Sequence, residues 1–351
     1  MPSKGLGESG RAPEDLGPVG GQPLDVLGIN AMGEGMAQLG VLKAALVMGG
    51  RKREEGLPPA GELEQRSTGH WGRVSRIPFP RRPSEYDSSE LRTPFPICDD
   101  ALARRLARPE YPRSAAYDPW WVADNMMGPH PLWLAESLTR LRAPAAGARV
   151  LDLGCGRALT SIFLAHEFGV KVTAADLWIK AEENQARIEA AGMAESVVAV
   201  WAEAHSLPFE AESFDAIVSF DAYQYFGTSD LYLAYLARFL RPGGLLGVVV
   251  PGLVTELDEV PEHLRPWWEP DYWCFHSPAW WRRHWERNGL VTVLEADHVA
   301  DGWRQWLEWI EVCLSLNLPP LFPGHDGGVG EAAMLEADAG RNLGFTRLLA
   351  V

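Results

Sequence analysis

Four cysteines are spread over 351 residues, Cys98, Cys155, Cys274 and Cys313, and no two form a C-x-x-C pair. That separation excludes the ligand spacing of a structural zinc site and the dense pairing of a disulfide-stapled domain, so a reducing, cytoplasmic setting is expected. His263, His276, His284 and His298 likewise lack ligand spacing, and no metal is expected. Long apolar runs are also missing. The most apolar stretch near the N-terminus, Leu39 to Met48, is interrupted by Lys43 and is far short of a bilayer span. No basic-then-apolar leader precedes it, so a soluble protein with no membrane association is expected. Basic residues are scarce: 32 Lys and Arg stand against 47 Asp and Glu, a net charge of −15, and all the excess acid lies beyond residue 113. Nucleic-acid surfaces depend on Lys and Arg to neutralise phosphates, so no nucleic-acid partner is expected for that part.

What is present is concentrated around residues 149–160, RVLDLGCGRALT. The apolar run Val150, Leu151, Leu153 around Asp152 reads as a strand that enters the turn Gly154-Cys155-Gly156. A helical spacing follows from Ala158 to Ala165. Glycine tolerates positive φ and has no Cβ, so such a turn lets backbone approach a nucleotide-like ligand at a helix N-terminus. Two glycines alone fit a purely structural turn equally well. The context adds a second apolar strand, Val170 to Ala175, that ends in Asp176. It follows Asp152 by about the spacing of an acid that receives ribose hydroxyls in a strand-helix-strand nucleotide unit.

With these residues in view, the chain resembles the class I S-adenosylmethionine-dependent methyltransferases, in particular the small-molecule, ubiquinone-biosynthesis type. VLDLGCG looks like the family's first motif and Asp176 like its ribose acid. Ala202-Glu203-Ala204 with Leu207-Pro208-Phe209 resembles the adenine-contacting segment, Phe214 to Val218 its fourth strand, and Leu240-Arg241-Pro242-Gly243-Gly244 the turn before its fifth. The pattern departs at Arg157-Ala158, where many members carry a third glycine or another small residue. Dinucleotide oxidoreductases are the rival, but they favour G-x-G-x-x-G, and Leu159 would occupy the last position. The resemblance implies an α/β, Rossmann-like methyltransferase fold: a seven-stranded, mostly parallel sheet with an antiparallel last strand and helices on both faces. It implies S-adenosylmethionine as cofactor, held by Asp152, Gly154, Cys155, Gly156, Asp176, Leu177, Trp178, Glu203, Ala204 and Phe220. Trp178 would pack on the adenine, or alternatively at a helix start.

Residues 1–97 read as a low-complexity, largely disordered extension, rich in Gly, Pro and charge, with one helix expected over Met32 to Met48. Residues 98–351 read as the methyltransferase-like domain. Its expected helices include Pro131–Leu141, 158–168, 180–191, Leu231–Leu240 and Pro278–Asn288. Its expected strands are 149–153, 170–175, Val197–Trp201, Phe214–Phe220, Leu245–Val250, a sixth starting over Gly289–Val293, and Gly344–Val351. Nine of the 15 tryptophans fall between Arg265 and Ile310. Trp281 with Trp285, and Trp303, Trp306 with Ile310, follow helical spacing and belong to a core. Trp267, Trp268 and Trp273 fall in a Pro-broken loop suited to an acceptor pocket, and Tyr111, Tyr117 and Trp121 are lid candidates.

A sulfonium methyl is already activated, so transfer is an in-line displacement in which the protein aligns the groups, removes water and accepts a proton. Candidate bases past the third to fifth strands are Asp221, Tyr223, Tyr225, His205 and His276. Asp221 serves equally well as a turn cap, and His205 as a backbone partner. Walls of Trp and Tyr suit a small, apolar or aromatic acceptor that is uncharged or cationic. A protein side chain as acceptor, or a non-catalytic cofactor-binding module, are the alternatives. The oligomeric state stays open.

Overall fold

The computed structural model describes residues 91–95, 101–316 and 327–351. The helix expected over Met32 to Met48 and the rest of the expected extension up to residue 90 lie outside the described residues.

Strands β1 (Arg149–Leu153), β2 (Lys171–Asp176), β3 (Val197–Trp201), β4 (Phe214–Phe220), β5 (Leu240–Leu253), β6 (Val293–His298) and β7 (Leu343–Ala350) form one sheet in the order β3-β2-β1-β4-β5-β7-β6. The first five run parallel, and β7 runs antiparallel to both β5 and β6. Side chains alternate between the faces along each strand. Val150, Ala216, Val218 and Val249 enter one core; Leu151, Leu153, Ile217, Leu246, Val248 and Val250 enter the other. Both cores are covered, which is why the strands read as nearly unbroken apolar runs.

The first face carries α1 (Ala101–Leu106), α2 (Pro119–Asp124), α3 (Pro131–Thr139), α4 (Leu159–Phe168), α8 (Gly302–Ser315) and α9 (Val329–Asp338). The second carries α6 (Tyr232–Leu236) and α7 (Pro278–Glu286). Between β2 and β3 runs α5 (Ala181–Ala190). Local chemistry starts several of these helices. Pro119 and Pro131 occupy first turns, where a missing N–H costs nothing, and Asp118 and His130 accept the exposed N–H groups of Trp120 and Trp133.

Three expectations are corrected. The helix expected to reach Leu240 stops at Leu236 and tightens into a 3-10 turn over Ala237–Phe239. The Arg241-Pro242-Gly243-Gly244 segment is a bulge inside β5, where pairing jumps from Phe214 with Leu240 to Ala216 with Leu245, and Gly243 has φ +75°. Strand 6 begins at Val293, because Gly289 has φ +67° and Thr292 exchanges backbone bonds with Val351 alone.

Residues 91–95 pack on the domain. Asp118 N–H donates to Pro94 O at 3.0 Å, Arg92 pairs with Asp124 at 2.8 Å, and Phe95 lies against Tyr117 and His166.

Candidate functional site

β1 has neighbours β2 and β4 whose connections run to opposite faces, so a crevice opens at its C-terminal end. The glycine turn sits there, at the start of α4. Gly154 and Gly156 have φ +72° and +54°, and the N–H groups of Gly154 and Cys155 both donate to Ala175 O. A Cβ on Gly154 would stand 2.4 Å from the Cβ of Ala222, so that position admits no side chain, and one on Gly156 would stand 3.0 Å from Met127 Sδ, a tight contact with a flexible side chain. Cys155 is buried beside it, and Asn184 donates to Gly156 O at 2.8 Å.

Two acids flank the turn. Asp152 is fully buried; its Oδ2 accepts from the hydroxyls of Thr160 (2.6 Å) and Ser161 (2.7 Å), while Oδ1 has no partner. Burial pushes its carboxyl up to about 6 against the pull of those hydroxyls. Asp176, at the tip of β2, accepts from the N–H of Gly156 at 2.8 Å on one oxygen and from those of Trp178 and Ile179 on the other. Burial raises it too, and the three backbone donors oppose the rise. Leu177 and Trp178 are exposed next to it, Trp178 at 59%.

Past β3, Glu203 accepts from the backbone of His205 and pairs with its ring at 2.7 Å, which holds the carboxyl low despite the opposing effect of burial. Ala204 O accepts from Tyr232. Phe220 is buried at the end of β4.

Asp221 follows with φ +54°, its N–H bonded to Val249 O at 2.9 Å. That left-handed turn directs its carboxyl towards the loop between α2 and α3. A Cβ on Gly128 would stand 2.3 Å from Asp221 Oδ2. Gln224 Nε2 donates to Oδ1 at 3.3 Å. Burial first, then the negative charge of Glu331 from α9, push Asp221 up to about 8, with Gln224 opposing. Tyr225 is 60% exposed as a residue. Burial of its hydroxyl end and then the charges of Asp221, Cys274 and Glu331 push its phenol up. The loop is fastened on both sides: Arg157 donates to Asp124 O at 3.0 Å, Arg187 to Asn125 Oδ1 at 3.1 Å, and Trp309 Nε1 to Gly128 O at 3.0 Å.

The structure therefore gathers Asp152, Gly154, Cys155, Gly156 and Asp176 in one corner, with Asp221 and Tyr225 beyond it. It does not bring Tyr223 to that group. Tyr223 is 0% exposed in the second core, wedged among Phe226, Tyr232, Trp281 and Trp285. His205 is engaged with Glu203, and His276 stacks on Trp280 at 3.6 Å with its Nδ1 2.8 Å from Glu256. The lid candidates Tyr111, Tyr117 and Trp121 are core residues: Tyr111 bonds Gln305, and Tyr117 donates to Glu167. Trp267 and Trp268 are half-buried, whereas Trp273 is 49% exposed. Sequence reading missed Met127, Gly128, Gln224 and Glu331. Gln224 lies three residues after Asp221 and was within reach of a local reading, but Glu331 is 110 positions away and carries no sequence signal.

The fold and this corner resemble those of the class I S-adenosylmethionine-dependent methyltransferases. Residues 150–244 match the family model described as a methyltransferase domain. The chain is 29% identical over 151 residues to the methyltransferase GfsG of Streptomyces halstedii, covering 43% of this chain and 52% of that protein. It is 35% identical over 107 residues to a ubiquinone biosynthesis O-methyltransferase of Sinorhizobium fredii (30% and 42%), and 28% over 180 residues to the chloroplastic tocopherol O-methyltransferase of Arabidopsis thaliana (50% and 48%). The chain thus spans about half the length of the curated relatives it matches. Among solved structures, phosphoethanolamine N-methyltransferase 2 of Haemonchus contortus is similar in fold, with a TM-score of 0.51, 18% identity, and coverage of 72% of this chain and 60% of that one.

Proposed function

We propose that this chain transfers a methyl group from S-adenosylmethionine to a small, apolar or aromatic metabolite. The observation that carries the reading is the turn Gly154 to Gly156, closed to a Cβ at Gly154, beside Asp176 at the point where the sheet order reverses. The corner fits the cofactor. In this reading Asp176 receives ribose hydroxyls, Asp152, whose Oδ1 is buried without a partner, lies towards the methionine, and Leu177, Trp178, Glu203 and Ala204 lie towards the adenine, with Cys155 and Phe220 in the wall. S-adenosylmethionine, when bound, supplies a methyl group that is already activated. The chain's own residues then have three tasks. The glycine turn and Asp176 orient the cofactor, the Met127-Gly128 loop excludes water, and Asp221 holds or takes a proton.

The acidic charge beyond residue 113 supports a partner other than nucleic acid, and the acceptor is proposed to be a free small molecule. Among the described residues no helix is long and apolar enough to cross a membrane. Among the described residues Cys155 and Cys313 are buried thiols outside any disulfide, in keeping with the cytoplasmic setting proposed here. Calorimetric titration with S-adenosylmethionine, S-adenosylhomocysteine and NAD tests the cofactor assignment, and binding of NAD in preference to the other two overturns it. A transfer screen with methyl-labelled S-adenosylmethionine then tests activity.

A further inference from the structure

We propose that Asn184 and Arg187 of α5 are positioning residues that tie the glycine turn to the loop between α2 and α3, so that cofactor binding at the turn orders the loop that lies against Asp221. This rests on the cofactor reading above and adds to it how the two sides of the crevice are coupled.

The first observation is an amide where the helix pattern calls for a hydrocarbon. The buried side of α5 is made by Asn184 and Ile188, one turn apart, and Asn184 is 1% exposed. An amide buried there destabilises the fold unless both its ends are paired, and both are. Nδ2 donates to Gly156 O at 2.8 Å and lies 3.8 Å from Cys155 Sγ, while Oδ1 accepts from Arg187 Nη1 at 3.1 Å. A leucine, with the same branching, would need no partners; the amide is accounted for by the turn it holds. The second observation is that the bonds continue. Arg187 Nε donates to Asn125 Oδ1 at 3.1 Å, and Asn125 Nδ2 donates to Trp121 O at 2.9 Å. Four hydrogen bonds therefore lead without a gap from Gly156 to the last turn of α2, and the planar guanidinium bridges two amides in a geometry that a single ammonium does not reproduce.

The third observation is what the loop touches. Arg157, directly after Gly156, donates from Nη1 to Asp124 O at 3.0 Å, so two guanidinium groups, one from the turn and one from α5, end on the neighbouring residues Asp124 and Asn125. Further along, Met127 Sδ would stand 3.0 Å from a Cβ on Gly156, and the Gly128 backbone stands against Asp221, since a Cβ there would be 2.3 Å from Oδ2. One end of the loop is thus bonded to the turn and the other lies on the carboxyl proposed to hold or take a proton. A ligand that fixes the turn fixes Gly156 O, and through the four bonds the loop. By linkage, an ordered loop raises affinity at the turn by the same factor. A packing role alone would stabilise the fold and would not respond to the ligand.

The test uses the full chain and S-adenosylhomocysteine as probe, with affinity read by calorimetry and loop order by amide hydrogen exchange with and without the probe. In the parent, binding is expected to slow exchange over residues 152–158 and over 121–128. Arg187→Met is expected to raise the Kd about tenfold, the effect of losing one charge-assisted bond, and to keep the slowing over 152–158 while losing it over 121–128. Arg187→Lys, which keeps the charge and one donor, is expected to restore part of both. Asn184→Leu is expected to weaken binding further, because Gly156 O loses its donor as well. Should Asn184→Leu fail to fold, Asn125→Ala cuts the same path from the loop side, and its loss and that of Arg187→Met are expected not to multiply in the double variant. Parent affinity and parent protection over 121–128 in Arg187→Met, or losses that multiply, overturn the coupling and leave the cofactor reading standing. A parent that does not bind S-adenosylhomocysteine overturns the cofactor reading and the coupling with it.

Discussion

Asp221 and Asp152 are carboxyl groups moved in the same direction by burial, and that direction fixes how they act on stability. Asp221 rises from an ordinary value of 3.8 to about 8 in the folded chain. Between those two values the folded state keeps a proton that the unfolded chain has lost, so stability falls as pH rises from about 4 to about 8. Asp221→Asn lacks this term. In urea unfolding, the midpoint of the variant relative to the parent is expected to be higher at about pH 8.5 than at about pH 5; an equal difference at both would show that Asp221 is not raised. Asp152, raised to about 6, contributes with the same sign over a narrower window and is common to both proteins. Asp176 carries a different prediction, because its oxygens serve three backbone N–H groups as well as the proposed ribose. Asp176→Asn keeps one acceptor oxygen and removes the charge, a loss of about 1.5–3 kcal/mol for bonds to a charged group. S-adenosylmethionine affinity measured by calorimetry is expected to fall about tenfold to a hundredfold.

The β1-turn-α4 element depends on glycine in a way that separates space from strain. Gly154 and Gly192 share a left-handed backbone, φ +72° and +70°, but a Cβ at Gly154 meets Ala222 at 2.4 Å while one at Gly192 meets nothing within 4 Å. Gly192→Ala is expected to cost only the left-handed strain, about 1–2 kcal/mol in urea unfolding, with cofactor affinity unchanged. Gly154→Ala should cost more and also abolish cofactor binding, and equal effects of the two would show that the turn has room after all. This element was legible because strand, turn and helix follow one another in sequence. Other elements were legible only in part. The spacing of Trp303, Trp306 and Ile310 marks the buried side of α8, but the break at Leu236 reflects packing of Phe239 into the second core, which no local signal records.

For the molecule as a whole, the boundary of the domain has an experimental meaning. Removing residues 1–90 is expected to leave the melting temperature and S-adenosylmethionine affinity as they are. Removing 1–99 also deletes the Pro94 backbone acceptor, the Arg92–Asp124 ion pair and the Phe95 ring contacts. The longer deletion should lower the melting temperature by several degrees, since a few lost contacts of this kind sum to one or two kcal/mol. Equal melting of both truncations would show that residues 91–95 contribute nothing. Asp124 lies at the end of the loop that carries Met127 and Gly128, so the longer deletion is also expected to weaken cofactor binding.

By itself the sequence determined the parallel sheet, the position of the glycine turn and the places of Asp152 and Asp176 on the first two strands, because each depends on neighbours a few residues away: nearly unbroken apolar runs, a turn that needs positive φ, an acid at a strand tip. Only the tertiary structure decided which aromatic residues are core and which are exposed. Tyr223 and Tyr225 are two positions apart in one 3-10 turn, and they end on opposite sides of the backbone, one sealed beneath α7 and the other beside Asp221. The meeting of Asp221 with Gly128, Gln224 and Glu331 was likewise decided in three dimensions. It joins the end of β4, the loop after α2 and the helix α9, and sequence separations of that size are bridged by packing of the whole sheet, not by any local preference of the chain.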